Sequence, residues 1–234
     1  FLYLYYMAHH KDSKFAWITG ASRGIGLATA EEFLSNGWNV VVLTRNIAPL
    51  AELKAIYTGQ LYLVAFDVTH SDTALLPDYP VDVLINNAGT IVNKAFEDIT
   101  QRELEYSYQT NVFGPFLLIQ ALMKRFTPTA HIINISSIGG VQGSVKFPGL
   151  TSYSSSKGAL VVLTECLQCE FHETQWSFNC LALGAVQTEM LKTAFPGYKA
   201  KVTSKDLSPY IFNFATTAHQ VMKGKVIPVS LSTP

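Results

Sequence analysis

Phe15-Ala16-Trp17-Ile18-Thr19-Gly20-Ala21-Ser22-Arg23-Gly24-Ile25-Gly26 is the stretch that decides the architecture. Its first five residues are apolar and β-rich, which predicts a short strand. A helical pattern then runs through Phe33 and Leu34 to a stop at Asn36-Gly37. Asn39-Val40-Val41-Val42-Leu43-Thr44 predicts a second strand directly afterwards. Strand, glycine turn, helix and strand make a βαβ unit, the context in which a dinucleotide loop is meaningful. Outside that context a glycine loop is most often only a turn. The spacing here is G-x-x-x-G-x-G. Gly20 allows the tight turn, Gly24 lets the backbone approach a pyrophosphate, and Gly26 lets the helix pack closely on the strand.

Two later segments share the apolar-run-then-small-residue pattern. Val81-Asp82-Val83-Leu84-Ile85 ends in Asn86-Asn87-Ala88-Gly89, and His131-Ile132-Ile133-Asn134-Ile135 ends in Ser136-Ser137. Either end alone reads as turn chemistry. On a parallel sheet both would sit at the carboxyl edge, beside a bound cofactor. In Tyr153-Ser154-Ser155-Ser156-Lys157 a phenol and an ammonium stand four residues apart, before a helical stretch expected over 158–171. Positions i and i+4 share a helix face. A free tyrosine, with a pKa near ~10, is a poor acid-base catalyst at neutral pH. A lysine cation favours the phenolate, and a drop of about three units takes roughly 4 kcal/mol. An isolated Tyr-x-x-x-Lys is usually a surface tyrosine beside a solvated lysine.

Taken together, TGASRGIG at 19–26, NNAG at 86–89, Asn111, ISS at 135–137 and YSSSK at 153–157 resemble the short-chain dehydrogenase/reductase family. The resemblance is tight over about 14–188 and looser to 230. It implies an α/β, Rossmann-like, doubly wound parallel sheet in the order 3-2-1-4-5-6-7, with helices on both faces. It implies one NAD(P)-binding catalytic domain over 14–234, with a substrate lid at about 189–205. Carried over by position, Tyr153 is the general acid in carbonyl reduction and the base in alcohol oxidation. Lys157 lowers its pKa and holds the nicotinamide ribose, Ser137 bonds the substrate oxygen, and Asn111 positions a water in the proton relay. Gly20, Ser22, Arg23, Gly24, Ile25 and Gly26 are implied around the phosphates. Asp67 and Val68 are implied at the adenine, and Asn87, Ala88 and Gly89 beside the cofactor. Gly184, Val186 and Thr188 are implied near the nicotinamide, with Tyr153 and Lys157. The roles are chemically coherent, because charge builds on the carbonyl oxygen as hydride arrives and a hydroxyl and a phenol stabilise and protonate it.

Cofactor preference follows from charge. An NAD-preferring site usually carries an acidic residue about twenty positions past the glycine loop, on the ribose 2′-hydroxyl. Here the second strand ends Leu43-Thr44-Arg45-Asn46 with no carboxylate. Arg45 and Arg23 are expected to clamp a 2′-phosphate, so NADP(H) is favoured and NAD(H) is the alternative. The bland alternative is two solvated surface arginines.

The chain also departs from the family pattern. The interval from Ser137 to Tyr153 is longer than usual, with Ser136 and Ser144 as fallback hydroxyls. Leu183 replaces the usual proline before Gly184, which frees an N–H and is expected to loosen the turn. Only a turn or two of helix is expected near 71–76. The usual glycine-rich end after the last strand is missing.

Over 234 residues, 48% are hydrophobic and 15% charged, which suits a parallel sheet covered on both faces. The formal net charge is zero, which argues against nucleic acid as a partner. No apolar run approaches the about 18 to 20 residues of a membrane span. Residues 1–13 read as an N-terminal extension or an added expression segment, with Met7 as the natural start and His9-His10 as a bland polar stretch rather than a metal site. No metal site is expected: Cys166-x-x-Cys169 lies inside a helix without a second ligand pair, so both are read as buried small hydrophobes. Few cysteines fit a reducing cytoplasm. The helix expected over 110–125 is apolar nearly all round, and in the family it forms a dimer interface with the Tyr153 helix; a homodimer or homotetramer is expected. Met190, Leu191, Phe195 and Tyr198, with Phe147, point to an apolar carbonyl or alcohol substrate. Lys192, Lys199 and Lys201 read as a solvated face. Two rivals to the oxidoreductase remain: a dinucleotide-binding regulator with weak turnover, and an epimerase or dehydratase that recycles its cofactor.

Overall fold

The computed structural model describes residues 13–70 and 72–232. The segment read as an extension, with Met7 and His9-His10, lies outside them except for Ser13. In chain order the elements are β1 (Phe15–Thr19), α1 (Gly24–Ser35), β2 (Asn39–Thr44), α2 (Ala51–Ile56), β3 (Leu61–Ala65) and β4 (Val81–Asn86). Then come α3 (Gln101–Tyr108), α4 (Gly114–Leu122), β5 (Phe126–Ser137), α5 (Thr151–Glu170), β6 (Ser177–Leu183) and β7 (Val186–Gln187). The last are α6 (Glu189–Ala194), β8 (Val202–Thr203), α7 (Ser204–Thr217) and β9 (Val226–Val229).

Seven strands form one parallel sheet in the order 3-2-1-4-5-6-9. This is the expected Rossmann-like path. The last strand becomes the ninth because β7 and β8 pair separately as a two-residue ribbon. From β1 the chain winds outward to β3, then crosses back to β4 and winds the other way. The carboxyl ends of β1 and β4 therefore flank a crevice, the usual ligand position in such sheets.

Strand alternation divides the core. Ala16, Ile18, Val40, Val42 and Ile85 pack with Phe33 and Leu34 of α1 and Ile211 and Phe214 of α7. Phe15, Trp17, Val41, Leu43 and Leu84 pack on the other face with Leu118, Ile119 and Leu122 of α4. Each fully buried side chain of this size contributes about 1.5–3 kcal/mol, so packing on both faces holds the sheet in place under the crevice. Among the described residues no helix is long and apolar enough to cross a membrane.

Several local expectations change. The Tyr153 helix begins at Thr151, ahead of the expected 158, which places Tyr153 in its first turn. The helix expected over 110–125 is broken: α3 runs into a π turn at Gln109–Phe113, and α4 follows. A Cβ on Gly114 would stand 2.9 Å from Val68, so the chain passes close there. The segment near 71–76 carries a single 3-10 turn at Thr73–Leu75, as expected. Cys166 and Cys169 are exposed, contrary to expectation, and only Cys180 is buried. The buried face of α5 runs through Ser152, Ser156, Lys157, Leu160 and Thr164, and both cysteines fall off that stripe.

His131 gives the fold a pH dependence. It is buried on β5, with Nδ1 at 2.9 Å from Ala215 O and Nε2 at 2.9 Å from Asn179 Nδ2. Asn179 cannot turn over, because Oδ1 accepts from Lys225 N and Nδ2 also donates to Met222 O. His131 is therefore neutral, donating through Nδ1 and accepting at Nε2. Burial pushes its pKa down from 6.5 to about 4, against the pull of Ala215 and with help from His219. The unfolded chain binds the proton more readily, so stability is lost as pH falls from 6.5 towards 4. The loss reaches about 3 kcal/mol. Thermal melts should show a falling midpoint across that window, and His131→Gln should flatten the slope.

Candidate active site

The crevice is built on the glycine turn. Gly20 and Gly24 have φ of 67° and 59°, the left-handed region that other residues avoid. A Cβ on Gly20 would stand 2.8 Å from Ala88 Cα, and one on Gly26 2.5 Å from Asn87 Nδ2 and 2.7 Å from Gly20 O. Gly20 and Gly26 are thus required by close packing. A Cβ on Gly24 would meet only Thr188 Cγ2, at 3.7 Å, so there the backbone angle sets the requirement. The α1 helix opens at Gly24 with no side-chain cap from Arg23, which leaves its first-turn amides available to an anion.

Thr19, which the sequence reading passed over, stitches this turn to the loop after β4. Its Oγ1 accepts from Asn87 N at 3.0 Å and Ala88 N at 2.9 Å. Asn87 Nδ2 returns bonds to Thr19 O at 2.9 Å and Gly20 O at 3.3 Å. The signal was present: a hydroxyl at the last position of the strand that feeds the turn.

A cavity of about 940 Å³ opens above these ends. Gly20, Ser22, Arg23, Gly24 and Ile25 line it at one wall, and Arg45, Asp67 and Val68 at another. Asn87, Ala88, Gly89, Ser137, Tyr153 and Lys157 line its floor, with Gly184, Val186 and Thr188 opposite. Of the residues expected at the site, Gly26 and Asn111 lie behind the lining.

Ser137 ends β5, where its Oγ accepts from Gly139 N at 3.2 Å and keeps its proton for another partner. It lies near enough to the Tyr153 phenol to pull that pKa down. The fallback hydroxyls are already committed: Ser136 donates to Lys157 O at 2.8 Å, and Ser144 to Ile138 O and Val141 O. Burial raises the Tyr153 pKa above its ordinary value, and the nearby Ser137 hydroxyl only partly opposes this. The expected depression of the phenol by Lys157 is thus absent from the protein alone. Lys157 is 4% exposed and donates from Nζ to Ile135 O at 2.7 Å. Burial pushes its own pKa down to about 8, with Cys180 pulling the other way. A Cβ on Gly89 would stand 3.4 Å from that Nζ and 3.3 Å from Asn111 Oδ1, so glycine there leaves the ammonium its room.

Asn111 sits in the π turn with no exposure. Its Oδ1 accepts from Thr90 N at 2.9 Å, while Nδ2 donates to Thr90 O at 3.0 Å and Ser156 Oγ at 2.9 Å. Both amide protons are spent, so the side chain ties α5 to the loop after β4 rather than offering a donor to water. A π turn at such a junction is a common mark of a functional site.

At the far end, Arg45 Nη1 donates to Tyr106 Oη at 2.8 Å. Burial works to raise the Asp67 pKa, but two bonds from Thr69 and the Arg45 charge outweigh it and hold the carboxyl below its ordinary value. Arg23 and Arg45 both line the cavity, with different partners. Arg23 pairs with the accessible carboxylate of Glu189 of α6 at 2.5 Å, within the lining.

Over the floor, Phe147 and Phe195 meet edge to face, with centroids 5.5 Å apart. Met190, Leu191 and Phe195 line the cavity as expected, but Tyr198 does not; it donates to Ser232 Oγ at 3.0 Å. Of Lys192, Lys199 and Lys201 only Lys192 reaches the lining. Asn93, also overlooked, ties α6 to the loop after β4 by donating to Ala194 O at 2.6 Å. The turn after β6 is not loosened by Leu183, which is buried and paired with Val229. Gly184 N donates to Val229 O at 2.9 Å and Ala185 N to Ser232 O at 3.2 Å.

Comparison with known proteins gives a consistent answer. A family model described as short chain dehydrogenase matches residues 14–199. L-xylulose reductase of Caenorhabditis elegans is 31% identical over 183 residues, covering 74% of this chain and 72% of that protein. L-2,3-butanediol dehydrogenase of Corynebacterium glutamicum is 32% identical over 198 residues, covering 76% and 74%. The crystal structure of a 3-ketoacyl-(acyl-carrier-protein) reductase from Brucella melitensis, complexed with NADH, superposes with a TM-score of 0.82 at 25% identity. It covers 92% of this chain and 96% of that one.

Proposed function

The chain belongs to the short-chain dehydrogenase family, whose members are NAD(P)-using oxidoreductases, and from that premise we propose that it interconverts a ketone or aldehyde and an alcohol with NADP(H). The observation that carries this reading is that Ser137, Tyr153 and Lys157 line one cavity with the glycine turn. The uncapped first turn of α1 and the left-handed Gly24 fit a pyrophosphate. The nicotinamide, when bound, supplies or accepts the hydride.

In the reductive direction the Ser137 hydroxyl donates to the substrate oxygen, and Tyr153 delivers its proton as charge develops there. A phenol whose pKa is raised stays protonated at neutral pH, which suits this role as acid. Lys157, which also lines the cavity, would supply positive charge to the site and a donor for the ribose. Asp67 and Val68 would hold the adenine, and Val186 and Thr188 the nicotinamide; all four line the cavity. Asn111 serves by fixing α5 against the loop that carries Gly89. The Phe147–Phe195 roof with Met190 and Leu191 supports an apolar substrate. Exposed Phe113, Phe116, Leu117 and Val162 support burial against a second copy, as a homodimer or homotetramer.

The preference for NADP(H) rests on Arg45, since β2 ends without a carboxylate. Side-by-side calorimetric titration should show tighter binding of NADPH than NADH. Arg45→Ala should lower that advantage by about 10–100-fold, the worth of hydrogen bonds to a charged group. Tighter NADH binding by the unaltered protein would reverse the assignment.

A further inference from the structure

Arg23 and Arg45 both line the cavity, but they are held by opposite kinds of partner. Arg23 faces the Glu189 carboxylate, which cancels its charge. Arg45 donates to a neutral phenol, Tyr106 Oη, across 61 residues of chain. Its neighbouring carboxylate, Asp67, is held by Thr69, whose N and Oγ1 donate to Oδ1 at 2.9 and 2.8 Å. A neutral acceptor orients a guanidinium without neutralising it.

We propose that Tyr106 is a specificity-determining positioning residue, which holds the Arg45 guanidinium for the 2′-phosphate of an adenine dinucleotide; this deepens, and rests on, the NADP(H) reading above. Tyr106 lies half-buried on α3 and lines the cavity beside Arg45 and Asn46. A long exposed arginine loses much rotamer freedom when it binds an anion. A phenol has only two torsions and restrains the arginine beforehand. The bond uses one of five guanidinium donors, which leaves enough for the paired contacts a phosphate takes. The phenol proton is not spent on that bond and adds a donor of its own. Asn46 Oδ1 accepts from Ala48 N at 3.0 Å, so its amide protons are the part left for a ligand.

The test is calorimetry of NADPH and NADH on the unaltered chain, Tyr106→Phe and Arg45→Ala, with thermal melts of each. Tyr106→Phe should lower the NADPH-to-NADH affinity ratio about tenfold. A merely structural role would lower both affinities together and leave the ratio in place, which overturns the proposal. If Arg45→Ala erases the preference while Tyr106→Phe leaves it, the positioning role fails and the NADP(H) reading stands. If the unaltered chain binds NADH more tightly, both fail.

Discussion

Tyr153→Phe lowers turnover by about 10²–10⁴-fold, the usual contribution of a positioned general acid, while NADPH still binds. The substitution removes one oxygen and keeps the ring that packs at the start of α5. Ser137 Oγ retains its bond from Gly139 N, so the end of β5 stays in place. What disappears is the proton that meets the developing alkoxide. Steady-state kinetics and calorimetry on the same preparation separate the two effects. Unchanged turnover would remove Tyr153 from the chemistry, and loss of both turnover and binding would point to a collapsed site.

Lys157→Met should abolish most turnover and yet raise the melting temperature. The lysine is buried, and its pKa falls from 10.5 to about 8. A folded pKa below the unfolded one means that the charged form opposes folding. The penalty is fully present below pH 8 and fades as pH rises from 8 to 10.5. The shift corresponds to about 3 kcal/mol. Removing the ammonium leaves Ile135 O without its 2.7 Å donor, which offsets about 1–3 kcal/mol. The net gain is at most a few degrees in a chain of this length, measured at pH 7 and shrinking towards pH 10. Stability given up at a working site is a familiar trade. A large drop in melting temperature with activity intact would contradict the account.

Both substitutions act on a pair that was visible in the sequence, because four-residue spacing on a helix is a local property. The glycine turn was visible for the same reason: Gly20 and Gly24 answer to backbone angles, and Gly26 to its approach to Gly20 O within one βαβ unit, although Ala88 and Asn87 from the loop after β4 press on Gly20 and Gly26 as well. Features that depend on distant contacts were not visible. The π turn at Gln109–Phe113 is fixed by Asn111 reaching Thr90 and Ser156. The early start of α5 had no capping signal, since Leu150 offers no side-chain bond and the serine-rich run reads as a turn. Arg23 met Glu189 across 166 residues, and no spacing rule anticipates that. The raised Tyr153 pKa is set by burial, which a motif does not encode. The cysteine exposure was legible and misread: continuing the buried stripe of α5 from Lys157 through Leu160 and Thr164 passes Cys166 and Cys169 by.

The most direct test is to mix the protein with NADPH deuterated at the transferable position and a panel of apolar ketones and aldehydes. The products are then read by mass spectrometry. The account predicts an alcohol carrying one deuterium on the former carbonyl carbon, with one NADP⁺ formed for each. Substrate conversion without net loss of NADPH would indicate an epimerase or dehydratase. Tight NADPH binding with no transfer to any carbonyl would indicate a binding protein, and either result would contradict the central claim.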